Sequence, residues 1–578
     1  MPELSNFASN DKILRILKVF IVITVIILSR LFYLQIYKGS AFYTRGESNF
    51  LRMEVLDSPR GNVLDCNGHL LATNRPVFDL YWEGRGNKYF NKDQENIINK
   101  TFEILGKRLG SNEKWLSLRA AEKFSRRIKI KEDLSFEQLS QISEQCATSP
   151  NLVMVNHFKR TYPYNTMASH VLGYLSKPEK AKIIGRYGLE KILQENLEGK
   201  KGYVLHVINS TGKKLEQKEE KQAVVGGEIK LTIDRDMQMI SESLFDVGHS
   251  GVFIIIDPED GAIKTLVSYP NFNPNLFVET VSEESWDELS SKNSPFLNRA
   301  ITALYPPASL FKLVTFTAGL EEEIVKEDSE FNCKGFIRFC GRKYNCIRRA
   351  GHGVLSSRDA IAYSCNIPCY EIAQNIKIDQ IADYATRFGL GRSTGFAILD
   401  KKGLVPTREW KMLVKHENWW KGETLSACIG QSYLLVTPLQ MARMISSIYT
   451  GHLVKPRILL NETIEKESLA IKKETLLFLQ DAMGAAVKFG SSRRLRSLKD
   501  YKIYAKTGTA QTASLSKAQL EHGWFACHFS YKNEKPLVLI SLIEHVGTAL
   551  PTLLMAKKFF EIYSVLRIRD EKSDFLRS

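Results

Sequence analysis

Tyr305-Pro306-Pro307-Ala308-Ser309-Leu310-Phe311-Lys312, continuing Leu313-Val314-Thr315-Phe316-Thr317-Ala318-Gly319-Leu320, decides how the rest of the chain is read. Two prolines end any upstream element, and the apolar run after them predicts a buried helix. Ser309 falls in its first turn with Lys312 three residues on, a spacing that places hydroxyl and amine on one face. A lysine desolvated among apolar side chains gives up its proton more readily, so it can serve as the base that a serine nucleophile needs. A surface serine beside a snorkelling lysine has the same spacing, and Ser-x-x-Lys alone carries little information.

Two later stretches supply what the first lacks: Tyr363-Ser364-Cys365-Asn366 and Ala505-Lys506-Thr507-Gly508-Thr509. In isolation Ser364 reads as a helix cap and Lys506 as a solvated charge on an edge strand. The ordered set Ser-x-x-Lys, Ser-x-Asn, Lys-Thr-Gly is the signature of penicillin-binding proteins and serine β-lactamases.

The 578 residues, 44% of them hydrophobic, suffice for several structural units. The formal charge of +16 is scattered, with no arginine-rich or aromatic-interleaved tract, which argues against nucleic acid. A basic surface also suits anionic headgroups and acidic polymers. Ile13–Leu34 (ILRILKVFIVITVIILSRLFYL) is long enough, at about 33 Å as a helix, for one bilayer crossing. Lys12, Arg15 and Lys18 favour a cytoplasmic N-terminus, and Arg30 lies near the outer end, where it can snorkel or pair. No small-x-small site follows directly, so an uncleaved anchor is expected rather than a signal peptide. The expected layout is a cytoplasmic tail (1–12), a transmembrane anchor (13–36), an N-terminal pedestal (37–227), a catalytic domain (228–565) and a polar tail (566–578).

Within the pedestal, Lys92–Arg108 and Ser135–Ala147 read as helices, and Ser210-Thr211-Gly212-Lys213 as a hairpin turn lacking the glycine spacing of a phosphate loop. In the catalytic domain Val252–Asp257 (VFIIID) reads as a strand buried on both faces, with Ala262–Ser268 returning beside it. Tyr501–Ala505, Trp524–Ser530 and Leu537–Glu544 read as further strands. Helices are expected around 356–363, 379–388, 438–449 and 473–488. Strands at both ends with helices between them predict an α+β domain with a mainly antiparallel sheet.

The chain resembles a class B penicillin-binding protein, a peptidoglycan D,D-transpeptidase, and is most similar to the elongation-type branch, penicillin-binding protein 2. Beyond the three motifs, the resemblance rests on Arg60-Gly61 with Asp65 and Asn67-Gly68, Arg160-Tyr162-Pro163, Gly188-Leu189-Glu190, Leu231-Thr232-Ile233-Asp234, Asn298-Arg299-Ala300, Gly351-His352-Gly353 and Thr437-Pro438-Leu439-Gln440. It runs from the anchor to about Val546. Ala308 stands where the family has glycine, and Gly430-Gln431-Ser432 where Gly-Gln-Gly is usual; Ser432 could stiffen a turn that wants positive φ.

The resemblance implies roles for the motif residues. Ser309 attacks the penultimate D-alanine of a stem peptide, Lys312 is the base, Ser364 relays the proton, and Asn366 holds Lys312 and the substrate amide. Lys506 and Thr507 take the C-terminal carboxylate, Gly508 permits close approach, and the Ser309 and Thr509 N–H groups form the oxyanion hole. It also implies β-lactams as covalent inhibitors and, as partners, a SEDS-family glycan polymerase and other elongation-complex membrane proteins, with the catalytic domain outside the inner membrane. A division-type role is the nearest competitor. A β-lactamase would need a glutamate base that is not recognisable here, and a β-lactam sensor would need more spans.

No cofactor is needed for this chemistry. Of nine cysteines, five fall within 333–369. Outside the cytoplasm disulfides are the default, and Cys333–Cys346 is one such pairing. Cys333, Cys346, His352 and Cys365 also form a donor set suited to structural zinc, with Cys340 and Cys369 the nearest substitutes; free buried thiols are the third reading. Elongation-type relatives place metal ligands at similar positions, including the middle residue of Ser-x-Asn.

Overall fold

The computed structural model describes residues 4–106, 112–146, 149–176, 183–208, 214–278, 287, 289–290, 294–511 and 521–577. The turn expected at Ser210–Lys213 lies outside them. The chain divides into two compact units: one of residues 1–59, 76–159 and 198–226, the other of residues 60–75, 160–197 and 227–578. The division therefore does not follow a single cut at Gly227, because two excursions from the N-terminal half are built into the second unit.

In the first unit a helix runs Leu4–Phe32 and widens into a π-turn at Tyr33–Tyr37. Its Ile13–Tyr37 portion is long and apolar enough to cross a membrane and is unburied throughout. Arg30 places its guanidinium 5.3 Å from the Tyr33 ring, a cation–π partner near the end of the apolar run. An antiparallel three-stranded sheet joins Leu51–Leu56, Gly202–Ile208 and Lys214–Lys221. Helices Lys92–Ile104 and Phe136–Gln145 each open on a capping box, Asn91 with Gln94 and Ser135 with Gln138, which places both starts where the sequence predicts them. Trp82, Ile98, Phe102 and Leu118 form part of the core.

The second unit is organised on a five-stranded antiparallel sheet. We number its elements along the chain as β1 (Gly251–Ile256), β2 (Ile263–Tyr269), β3 (Tyr501–Ala510), β4 (His522–Tyr531) and β5 (Leu537–Ile543), and the spatial order is β2-β1-β5-β4-β3. All six residues of β1 are buried. Val252, Ile254 and Ile256 join one core with Leu313, Val314 and Phe316, while Phe253 and Ile255 join another with Phe559 and Phe560. The unbroken apolar run follows: helices cover both faces, so neither parity of the strand meets water.

Helices α1 (Lys312–Glu321), α2 (Ser357–Ala362), α3 (Ile367–Asn375), α4 (Pro438–Thr450) and α5 (Lys473–Lys488) lie between β2 and β3 in the sequence. Helix α4 starts on a capping box made by Thr437 and Gln440, with Pro438 in its first turn. The final helix, α6 (Leu550–Arg577), packs Phe559 and Phe560 under the sheet and runs on through most of the stretch expected as a polar tail.

Candidate active site

The nucleophile motif does not open an α-helix as its spacing suggests. Ala308–Phe311 form a 3₁₀ turn, and α1 begins at Lys312. Ala308 takes φ 52°, in the left-handed region, and donates its N–H to the Gly430 carbonyl at 3.0 Å. A Cβ on Gly430 would stand 2.0 Å from the Ala308 carbonyl oxygen, so the two backbones touch at a distance that only glycine permits there. Ser432, the other departure from the family pattern, has φ 71°. Both departures thus fall where a non-glycine residue carries strain, at a typical cost of about 1–2 kcal/mol each. Trp524 on β4 donates its indole N–H to Pro306 O at 3.0 Å and ties the turn to the sheet.

Lys312 is fully buried, and its ammonium donates to Ser364 O at 2.6 Å, Asn366 Oδ1 at 2.6 Å and Ser364 Oγ at 3.3 Å. Lys506, also fully buried, donates to Ser364 Oγ at 2.8 Å and to Thr507 O at 3.1 Å. The Ser364 hydroxyl therefore sits between the two amines. Neither bland reading of these residues survives: Lys506 is on an edge strand yet has no exposed surface, and Ser364 caps no helix, lying instead at φ 58° between α2 and α3. Burial lowers the pKa of Lys312 below its ordinary 10.5, against the nearby cysteine sulfurs, which raise it. Burial lowers Lys506 further, helped by the positive charge of Lys312.

Ser309 is half-buried, and among the described residues its hydroxyl makes no hydrogen bond. The i,i+3 spacing thus brings Ser309 and Lys312 to one turn, while the hydrogen bonds of Lys312 go to the Ser364–Asn366 loop. β3 carries Lys506, Thr507, Gly508 and Thr509 along the edge of the sheet. A Cβ on Gly508 would lie 3.3 Å from both Ser309 N and the Ala308 Cβ, so a bare backbone lets the strand approach the Ser309 amide.

The cysteines and histidine singled out by spacing converge. Cys333 ends strand Glu330–Cys333, Cys346 follows strand Arg342–Asn345, His352 precedes strand Gly353–Ser356, and Cys365 is the middle residue of Ser-x-Asn. Their ligand atoms all lie within 4.8 Å of one another. His352 Nδ1 is 3.5 Å from both Cys333 Sγ and Cys346 Sγ, and Cys346 Sγ is 3.7 Å from Cys365 Sγ. All nine cysteines are unpaired in the structure. Gly351, at φ 83°, places its backbone against Cys333 O, where a Cβ would come within 2.2 Å. The hydrogen bond between the two thiols holds Cys346 below the ordinary thiol range and raises Cys365, which burial raises further. Of the two substitutes, Cys340 is exposed, and Cys369 is buried on α3, where burial pushes its thiol up to about 11 against the lowering effect of the two lysines. One link was not legible from spacing: Asn366 Nδ2 donates to Asn345 O at 2.9 Å, so the side chain that holds Lys312 is anchored to the residue before Cys346.

A 3₁₀ turn bearing serine, two buried lysines converging on a second serine, and an edge strand bearing Lys-Thr-Gly define a serine acyltransferase of the penicillin-recognising type. Comparison with known proteins agrees. The penicillin-binding protein transpeptidase domain matches residues 251–559, more than half of the chain, and the penicillin-binding protein dimerisation domain matches 55–231. The chain belongs to the penicillin-binding protein transpeptidase family. Peptidoglycan D,D-transpeptidase MrdA of Acinetobacter baumannii is 29% identical, the alignment covering 95% of this chain and 86% of that protein. The Escherichia coli K12 protein of that name is 26% identical, over 92% and 90%. Among solved structures, the complex between penicillin-binding protein PBP2 and MreC from Helicobacter pylori matches with a TM-score of 0.76 at 27% identity, covering 89% of this chain and 99% of that one. A peptidoglycan synthase complex that coordinates polymerization and crosslinking matches with a TM-score of 0.75 at 27% identity, over 94% and 97%.

The strain at position 308 is testable. Ala308→Gly relieves about 1–2 kcal/mol of left-handed strain but loses about 0.8 kcal/mol of methyl burial and gains unfolded-state entropy, so melting should move by less than about 1 kcal/mol equivalent. Ala308→Val, β-branched at the same φ and pressed on Gly508, should cost at least about 2 kcal/mol and slow penicillin labelling. Equal melting temperatures for the two variants would show the turn to be unstrained.

Proposed function

We propose that this chain is a serine-type peptidoglycan D,D-transpeptidase of the elongation machinery, anchored by Ile13–Tyr37 with a cytoplasmic N-terminus and an extracytoplasmic catalytic unit. The observation that carries the reading is the convergence of Lys312 and Lys506 on Ser364 beside the Ser309 turn. The similarity to proteins named peptidoglycan D,D-transpeptidase MrdA, and to PBP2 in its complex with MreC, supports the elongation role over the division one.

Ser309 Oγ attacks the carbonyl carbon of the penultimate D-alanine while Lys312, neutral, takes the hydroxyl proton. The tetrahedral oxyanion is met by the N–H groups of Ser309 and Thr509, each such donor typically supplying about 3–4 kcal/mol. Ser364 passes a proton to the departing amine, D-alanine leaves, and an ester remains on Ser309. An amine from a neighbouring strand attacks this ester and returns the proton through the same groups. Lys506 and Thr507 hold the terminal carboxylate, and Asn366 holds Lys312 and the substrate amide. A β-lactam enters by the same attack on its strained amide and stays bound as the ester.

Ser309→Ala should abolish covalent labelling by fluorescent penicillin, and Lys312→Ala should lose nearly all of it. Because the base works unprotonated and its pKa is lowered, acylation should rise with pH and level off at an apparent pKa below 10.5. Labelling of the Ser309→Ala protein at the full rate, or a wild-type rate that falls as pH rises to 9, would remove the assignment.

Structural zinc is the reading that the cysteine cluster supports. Sulfurs about 2.3 Å from a tetrahedral zinc stand about 3.8 Å apart, and a sulfur and an imidazole nitrogen about 3.6 Å. Three of the six edges, at 3.7 Å and twice 3.5 Å, match these values, and the remaining three lie within 4.8 Å. Cys333, Cys346, His352 and Cys365 would hold the ion, which supplies a fixed brace and no reacting atom. Elemental analysis should find about one zinc per chain, and Cys346→Ser should lower both the melting temperature and penicillin acylation while Cys146→Ser lowers neither. Metal-free protein with cluster cysteines cross-linked would end this reading and leave the serine chemistry standing.

The partner expected in the membrane is a SEDS-family glycan polymerase, since no glycosyltransferase motif is recognisable in this chain and the 37–227 segment, read as a pedestal, carries no chemistry of its own. A photocrosslinker in the anchor or in residues 37–227 should capture that polymerase in cells; recovery of soluble wall hydrolases alone would count against it.

A further inference from the structure

A second polar site lies in the same unit, lined by none of the catalytic motif residues. A cavity of about 410 Å³ opens between the loop Arg392–Gly395, helix α4, and the strands His452–Val454 and Lys466–Ser468. Its deepest cation is Arg443 on α4, only 7% exposed. The Nε of Arg443 donates to Val454 O at 2.7 Å, but among the described residues no acceptor meets its Nη1 or Nη2. Beside it, Arg392 has a buried Nε with no partner. Lys455 and Lys466 complete the cationic lining.

Among the described residues carboxylates pair the other cations of the lining but not Arg443: Lys466 meets Glu259 at 3.2 Å, and Lys455 lies 3.9 Å from Glu462. Glu467 takes Arg392 Nη2 at 2.8 Å and Glu465 takes Lys455 at 2.6 Å, each 58% exposed at the rim. Asp400 is occupied by Ser393 Oγ at 2.6 Å and Thr394 N at 2.8 Å. Arg443 is left with its fork facing the cavity and a like charge next to it, and burial together with Arg392 lowers its pKa to about 10. A buried unmet donor on a charged group typically costs about 1–3 kcal/mol, so an acceptor in the cavity would satisfy Arg392 Nε while meeting the Arg443 fork that opens on it.

The loop is also prebuilt. Gln440 donates to Arg392 O at 2.8 Å and Lys402 O at 2.7 Å, which pins Arg392 to the start of α4. The Lys455 stem passes about 3.5 Å from where a Cβ on Gly395 would stand, so the bare backbone there leaves the cavity open.

We infer that this cavity binds a ligand bearing a carboxylate or phosphate group, held bidentately by Arg443 and met by Arg392 Nε. The volume lies within the roughly 300–1,000 Å³ of small-molecule sites, so the anion is carried on a body larger than an inorganic ion. Phosphate and carboxylate share the fork geometry and differ in charge, which the test uses.

The test is isothermal titration of the full-length protein in detergent with two probes, glucose 6-phosphate and the dipeptide γ-D-glutamyl-D-glutamate. At least one should bind one-to-one and saturably, weakening as chloride is raised; the better probe identifies the anion. Arg443→Gln should weaken it at least tenfold, and Lys466→Glu, on the exposed rim, severalfold, with penicillin labelling of Ser309 unchanged in both. Should Arg443→Gln lose labelling because it fails to fold, the paired rim variant Lys455→Glu/Lys466→Glu decides, with a loss of at least tenfold expected. No saturable binding of either probe to the wild-type protein, or affinities unmoved by these substitutions, overturns the inference.

Discussion

Lys312 carries an ammonium group with no surface open to water, and the catalytic half of the second unit is arranged around that cost. Removing such an ion from water costs several kcal/mol even after relaxation. No carboxylate repays it. The compensation is a carbonyl, an amide oxygen and a hydroxyl, contributed by Ser364 and Asn366. Neutral acceptors leave the amine undersolvated as a cation, which lowers its pKa, the direction that the proposed role as base requires. An aspartate in place of Asn366 would satisfy the charge better and hold the proton on.

That arrangement requires the Ser364–Asn366 loop to keep one geometry, and local structure alone would not hold it. Ser364 sits at φ 58°, and only residues 363–366 connect α2 to α3. Three constraints fix it from outside. Asn366 is hydrogen-bonded to Asn345 O, Tyr370 Oη donates to the same carbonyl at 3.2 Å, and Cys365 stands in the cysteine–histidine cluster. Both the carbonyl and the cluster belong to the small strands of residues 330–356. A catalytic loop strained at one residue is therefore braced by a segment with no reacting atom of its own, and strain of this kind persists only where the surroundings over-determine it.

Much of this was legible in the sequence because it rests on local chemistry. The three motifs name residues that the fold brings together, β1 announces itself by six consecutive buried positions, and Thr437 to Gln440 spell a helix start. Legibility fails where a conformation depends on a distant neighbour. The positive φ of Ala308 follows from the Gly430 backbone lying against it, and no propensity of alanine predicts that. β3 runs to Ala510 because β4 pairs with it residue for residue, although Lys506-Thr507-Gly508-Thr509 has the composition of a loop. The cysteine cluster is legible only in part for the same reason: spacing permits zinc, disulfide or free thiols, and that the four donors meet is a tertiary fact no spacing announces.

The interleaving of the two units has a comparable cause, hidden in landmarks that the resemblance could name but not explain. Arg60, Arg160, Tyr162 and Glu190 are far apart in sequence and meet in one buried network. Glu190 accepts from Arg60 Nε at 2.5 Å, Arg160 Nε at 2.8 Å and Tyr162 Oη at 3.1 Å, and is only 1% exposed. Arg160 also donates to Gly61 O at 2.7 Å, and Arg60 to Glu190 O at 2.8 Å. A buried carboxylate with two guanidinium partners tolerates the loss of neither, since removing one partner of a buried pair typically costs about 3–5 kcal/mol. Residues 60–75 and 160–197 are thereby bound to each other within the second unit. Asp65 extends the bond set to residue 235, accepting from the Arg235 N–H at 3.1 Å. A boundary at Gly227 keeps Arg60, Arg160, Tyr162 and Glu190 together, and the bond that the Arg235 N–H donates to Asp65 crosses it and ties the network to the rest of the second unit.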